Sequence, residues 1–122
     1  MSEKNTELLL VFCGHGSRNR EFMNSFLCFF RKMKRKFDIK MKYCFIEINN
    51  PLIDFVLETS CKKYKSIIFI PALIFKGKHY LKDIKDKIDI YSKKFEKKII
   101  LTKNLNLNNE LVTIFKSKIN EK

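Results

Sequence analysis

The chain has 122 residues, which suits one domain spanning residues 1–122, and 45% of them are hydrophobic, enough for a buried core. Wholesale disorder and a two-domain arrangement are therefore disfavoured. The net charge is +13, but the lysines are scattered and only four of the 26 basic residues are arginine, the residue best suited to phosphate and base contacts. A nucleic-acid-binding domain thus stays a minor alternative.

Four short apolar runs predict β-strands. The first and third are continuously apolar and end at Gly14 and Pro71, a pattern typical of parallel strands buried on both faces. The other two are weaker candidates of the same kind. The predicted strands cover residues 8–13, 41–47, 66–70 and 98–101.

Segments with apolar residues at three- and four-residue steps predict a helix after each strand. The first covers residues 20–36, and Ser17 or Asn19 can cap it. The second is expected to begin with Asn50 as its cap and Pro51 in its first turn. The third and fourth are marked by apolar positions in residues 80–91 and 107–118.

The order βαβαβαβα predicts an α/β fold: a single-domain, open, parallel four-stranded sheet with helices on both faces. Right-handed crossovers leave few topologies, and we expect the strand order 2-1-3-4. Ligands of such sheets bind beyond the carboxyl ends of the strands, where the strand order reverses. Here that point lies between the first and third strands.

The two histidines of the chain follow those two strands. His15 comes after the first strand and His79 after the third, while Glu47 ends the second. The spacing from His15 to Glu47 and from Glu47 to His79 is 32 residues in each case, about one βα unit. We therefore expect two imidazoles and a carboxylate to converge on one edge of the sheet.

The first histidine lies in the run Gly14-His15-Gly16-Ser17-Arg18. Flanking glycines permit backbone angles that other residues resist, and they let a planar ligand approach the main chain. The helix start that follows attracts anions. A phosphate-binding turn with an incidental histidine is the alternative interpretation of this segment.

Three segments together resemble the short form of the sirohydrochlorin chelatases, the cobalt- or iron-inserting relatives of ferrochelatase. They are residues 9–18, then Phe45-Ile46-Glu47 with Pro51 four residues on, then residues 70–79 closed by Asp83-Ile84. The resemblance covers residues 7–90. The chain departs from the family at residues 104–107, where a Pro-Leu-Gly type turn is common, and it has no His-rich tail.

The resemblance implies a chelatase in which His15, Glu47 and His79 handle a divalent metal substrate, either cobalt or iron, with nickel a third candidate. Two imidazoles and a carboxylate can bind such an ion and still release it, whereas thiolates would hold many metals too tightly. One histidine would also accept a proton from the macrocycle. No organic cofactor is expected.

The implied substrate is sirohydrochlorin, a tetrapyrrole rimmed with carboxylates. Arg18 is the first candidate to pair with a carboxylate and Lys78 the second, and Ser17 could add a hydrogen bond. Gly14 and Gly16 are expected to lie against the bound macrocycle as further substrate-binding residues. Longer chelatases of this class carry two such halves, so a homodimer is expected, with phenylalanines of the first helix as interface candidates.

Cysteine spacing and hydropathy indicate the cellular setting. The four cysteines, at 13, 28, 44 and 61, fit neither a redox pair nor a zinc knuckle, and we expect free, largely buried thiols. No apolar run reaches the length of a membrane span, and no secretion signal is recognised. A cytoplasmic protein without a membrane partner is expected.

The remaining alternative to a chelatase is a carrier that binds metal or tetrapyrrole without turnover.

Overall fold

The computed structural model describes residues 7–72 and 78–103, with the side chains of Lys78 and His79 excepted. Within this part no helix is long and apolar enough to cross a membrane. The predicted fourth helix, residues 107–118, lies outside the described residues. In chain order the elements are β1 (Leu8–Gly14), α1 (Arg20–Lys36), β2 (Lys40–Phe45), α2 (Ile53–Lys63), β3 (Ser66–Pro71), α3 (Lys78–Phe95) and β4 (Lys98–Leu101).

The four strands form one parallel sheet in the order β2-β1-β3-β4, which confirms the predicted topology. β1 lies between β2 and β3, with Cys13 opposite Cys44 on one side and Pro71 on the other. The carboxyl ends of β1, β2 and β3 therefore meet at one edge. The segments that follow these strands carry the candidate functional residues.

Helices cover both faces of the sheet, as predicted. Neighbouring residues of a strand point to opposite faces, so a strand covered on both sides has to be apolar throughout, as β1 is. One face packs against α2 and α3 through Leu9, Val11, Val56, Leu57, Ile67, Phe69, Ile84 and Ile88. The opposite face packs against α1 through Phe12, Phe30 and Met41.

The first helix has the predicted bounds. Asn19 is its N-cap, and its Oδ1 accepts a hydrogen bond of 3.0 Å from the backbone N–H of Phe22. The last turn carries Lys34, Arg35 and Lys36 near the negative end of the helix dipole. The Asn19 cap fixes the start of α1 shortly after the loop that carries His15, residues 14–17, which we call the His15 loop.

The predicted start of the second helix is wrong. Asn50 does not cap it; α2 begins at Ile53 after Leu52, and Pro51 lies before it on a cis peptide bond. The backbone N–H of Phe45 donates to the carbonyl of Pro51 at 2.9 Å, and Leu52 forms a bridge with Phe45. These contacts keep the chain extended beside the end of β2. β2 itself ends at Phe45, two residues before Glu47, where the chain bends.

All four cysteines are free, as expected. Cys13, Cys44 and Cys61 are buried, but Cys28 on α1 is exposed. A neighbouring thiol, that of Cys13, and burial together raise the pKa of Cys44 well above its ordinary value. The buried thiols thus behave as small apolar core residues.

Candidate metal-handling site

The His15 loop depends on glycine at position 16. Gly16 has a φ of +102°, and a Cβ built on it would lie 1.9 Å from the backbone oxygen of Glu47. A Cβ on Gly14 would meet the Phe26 ring at 2.8 Å. Other residues of this chain therefore fill the space beside both glycines. That Gly14 and Gly16 contact a bound ligand stays a prediction.

The Glu47 loop, residues 46–52, is held against the His15 loop by three hydrogen bonds. The backbone N–H groups of Ile46 and Glu47 donate to the carbonyls of Gly14 and His15, at 3.1 and 3.2 Å. The N–H of Ser17 donates to Oδ1 of Asn49 at 2.6 Å. The two loops form one unit at the carboxyl edge of the sheet.

The structure brings His15 and Glu47 together. The imidazole Nε2 lies 4.0 Å from the carboxylate Oε2, and the two side chains are 34% and 49% exposed. Two ligand atoms that bind one divalent ion tetrahedrally at about 2.1 Å each lie about 3.4 Å apart. The observed separation is within a small side-chain adjustment of that value, and both side chains are open to an incoming ion.

The start of α3 also lies against the His15 loop. The Tyr80 ring contacts the His15 ring edge-on, with the ring centroids 4.3 Å apart and an interplanar angle of 74°. His79 and Lys78 precede Tyr80 in the chain, but the roles predicted for their side chains lie outside what the structure describes. Among the described residues, no group of three His, Cys, Asp or Glu side chains could hold a metal ion.

Comparison with known proteins decides the family. A sequence model described as CbiX matches residues 9–122. The chain belongs to the CbiX family. This CbiX protein is also 32% identical, over 112 residues, to a sirohydrochlorin cobaltochelatase of Sulfolobus acidocaldarius, an alignment covering 91% of this chain and 87% of the relative.

Solved structures share the fold of this CbiX protein. A putative cobalamin biosynthesis CbiX protein from Marinobacter aquaeolei VT8 matches with a TM-score of 0.75 and 16% identity, over 93% of this chain and 95% of that one. The sirohydrochlorin chelatase SirB from Bacillus subtilis subspecies spizizenii, in complex with cobalt, matches with a TM-score of 0.75 and 20% identity. That match covers 94% of this chain but 50% of SirB, so the chain spans about half of the SirB length.

The remaining predicted site residues of this CbiX protein lie near the His15 loop in different settings. Arg18 is exposed ahead of α1, and Ser17 is half-buried, with its Oγ accepting from the N–H of Asn19 at 3.0 Å. Cys13, a core residue next to this loop and not a predicted site residue, is fully buried, and its Sγ lies 3.6 Å from the carbonyl of Gly14. The Cys13 thiol is therefore hydrogen-bonded inside the core and is not exposed at the site.

Sequence reasoning missed two residues that contact this site. The sequence pattern predicts no role for Asn49 and places Tyr80 only on the apolar face of the third helix. Their positions in the sequence carry a weak signal, since Asn49 follows Glu47 by two residues and Tyr80 follows His79 directly. Their contacts with the His15 loop depend on how distant segments meet in the folded chain.

Proposed function

We propose that this CbiX protein is a sirohydrochlorin chelatase, which inserts Co²⁺ or Fe²⁺ into the tetrapyrrole. The observation that carries the proposal is the 4.0 Å separation of His15 Nε2 and Glu47 Oε2 at the carboxyl edge of the sheet. The name of the Sulfolobus acidocaldarius relative supports the same reaction and cobalt as a substrate. The cobalt in the SirB complex and the Fe³⁺ in a second SirB structure support the same metals.

In this proposal His15, Glu47 and His79 bind the incoming ion. The third ligand is supported by Tyr80, which contacts the His15 ring and is covalently joined to His79. Consecutive Cα atoms are about 3.8 Å apart, so the backbone of residue 79 lies close to that contact. A nitrogen- and oxygen-based set binds Co²⁺ or Fe²⁺ firmly enough to position the ion and weakly enough to release it.

Insertion exchanges one divalent ion for two N–H protons of the macrocycle, without a change in oxidation state. As the ion passes to the four ring nitrogens, the imidazole that releases it regains a free lone pair. That imidazole can then accept one of the protons at the freed nitrogen. The second proton goes to the Glu47 carboxylate or to solvent water, and Glu47 can also orient the imidazole.

The macrocycle is proposed to bind through its carboxylates. Arg18 is exposed beside the His15 loop, where its guanidinium can pair with a carboxylate in a bidentate manner. Lys78 and the hydroxyl of Ser17 are the further candidates. The net charge of +13 would also attract a polyanionic substrate from a distance.

We further propose a homodimer in the cytoplasm. The chain matches 50% of SirB, so SirB is long enough to contain two units of this size. A homodimer of this chain would provide the second unit. Phe22 and Phe29 on α1 are 36% and 37% exposed, which supports α1 as the interface. The free thiols support the cytoplasm as the compartment, because its reducing environment keeps cysteines from forming disulfides. Sedimentation equilibrium should give twice the chain mass, and a monomer under assay conditions would exclude the dimer.

The activity is tested by incubating the purified protein with sirohydrochlorin and Co²⁺ or Fe²⁺ and following the change in absorbance. His15→Ala and His79→Ala should fall to the uncatalysed rate. Asn24→Ala, an exposed change on the side of α1 away from Phe22 and Phe29, should keep the wild-type rate. Equal, uncatalysed rates in the wild type and both histidine variants would exclude a chelatase, and binding without turnover would indicate a carrier.

A further inference from the structure

We propose that Asn49 is a positioning residue, which fixes the Glu47 loop against the His15 loop and so sets the separation of the two metal-handling groups. This inference rests on the proposed function, because it concerns the same His15–Glu47 pair. Asn49 does not touch the ion in this proposal; it acts through the backbone that carries Glu47.

Asn49 contacts both loops. Its side-chain Oδ1 accepts the 2.6 Å hydrogen bond from the N–H of Ser17, and its own N–H donates to the carbonyl of Glu47 at 2.8 Å. It therefore links the residue two positions after His15 to the residue that carries the carboxylate. This bond adds a third link to the two backbone hydrogen bonds between the loops.

The conformation of the Glu47 loop needs such a restraint. Ile48, between Glu47 and Asn49, has a φ of 72°. A β-branched residue is a true outlier in this left-handed region, and it persists only where the surroundings determine it. Its side chain is 49% exposed, so burial contributes little to holding it. The restraint therefore comes from the hydrogen bonds on either side of Ile48, between Glu47 and His15 and between Asn49 and Ser17.

Packing beside Gly16 adds to the same restraint. A Cβ on Gly16 would lie 1.9 Å from the Glu47 carbonyl oxygen and 3.3 Å from Oδ1 of Asn49. Both groups thus occupy the space that glycine leaves free. The Glu47 backbone therefore lies in direct contact with the His15 loop, which helps to hold its side chain beside the imidazole.

Loss of the Asn49 acceptor would release this arrangement. The N–H of Ser17 would lose its partner, and Ile48 could relax toward a negative φ, which rotates the peptide groups on either side of it. The Glu47 carboxylate would then leave the position 4.0 Å from His15 Nε2. Removal of partners that orient metal ligands typically weakens metal binding by about 10- to 100-fold.

The test is titration of the protein with Co²⁺ alone, followed by visible absorption and calorimetry, at a temperature where every variant is folded. Asn49→Ala should weaken Co²⁺ binding by about tenfold and change the absorption of the bound ion. Asn49→Asp keeps an oxygen acceptor for the Ser17 N–H, so it should bind within about threefold of the wild type. Asn24→Ala is the matched asparagine control and should not change binding.

Wild-type affinity and absorption in Asn49→Ala would overturn the inference, and so would an equal loss in Asn49→Asp. Failure of the proposed function gives a different result, because the wild type itself would then show no turnover, whether or not it binds Co²⁺. In that case hydrogen–deuterium exchange of the Ser17 backbone amide still measures the hydrogen bond between the loops. Protection of this amide from exchange should fall in Asn49→Ala and remain in Asn49→Asp. Unchanged protection in Asn49→Ala would show that Asn49 does not link the loops.

Discussion

The Tyr80 ring lies edge-on to the His15 imidazole, with the ring centroids 4.3 Å apart. Tyr80 also packs against the main core, next to α3 residues such as Ile84. The contact therefore connects the histidine after β1 to the hydrophobic core through the first turn of α3. An imidazole supported in this way has fewer orientations available to it than one in an open loop.

The first prediction concerns this contact. Tyr80→Ala should lower kcat/KM of the proposed chelatase by about tenfold or more, because a freed His15 ring samples unproductive orientations. Tyr80→Phe keeps the aromatic edge and should stay close to the wild-type rate. The metal insertion assay measures both variants. Full activity in Tyr80→Ala, or equal losses in the two variants, would contradict a positioning role for the ring.

The second prediction concerns the glycines of the His15 loop. Gly16→Ala should lower the free energy of unfolding by about 2 kcal/mol or more, because alanine is strained at a φ of +102° and its Cβ meets the Glu47 carbonyl oxygen. Gly14→Ala should cost less, since its Cβ meets the side chain of Phe26, which can move. Urea unfolding at equilibrium measures both, and a smaller loss for Gly16→Ala would be inconsistent with the tight loop contact.

The third prediction concerns pH. The pKa of Cys44 is raised in the folded protein by the neighbouring Cys13 thiol and by burial, so the folded state keeps a proton that the unfolded chain releases. This contribution to stability is present below the ordinary thiol pKa of about 8.5 and is lost as the pH rises above it. The free energy of unfolding should therefore decline above this pH.

Urea unfolding at a series of pH values measures that decline. Cys44→Ala removes the titrating group, so its stability should depend less steeply on pH over the same interval, whatever its absolute stability. Cys28→Ala is the matched control, because Cys28 is exposed, and it should keep the wild-type pH dependence. Parallel curves for the wild type and Cys44→Ala would show that Cys44 does not carry the effect.

The sequence alone was sufficient for the architecture. The bounds of α1 and the parallel order β2-β1-β3-β4 were predicted from apolar periodicity and from the handedness of βαβ units. The periodicity is a local signal, because the residues of each helix or strand show which of its faces is buried. The handedness is a general rule for βαβ units and needs no information about this particular chain. The same rules brought His15 and Glu47 to one edge, since both follow parallel strands.

Only the tertiary structure decided how the two loops at that edge meet. The sequence could not show that the chain stays extended past Pro51, that Ile48 takes a positive φ, or that Asn49 bonds to Ser17. Ser17 and Asn49 are 32 residues apart in the chain. Their contact arises from the pairing of β1 with β2, which places the two loops side by side, and periodicity within one segment carries no information about it.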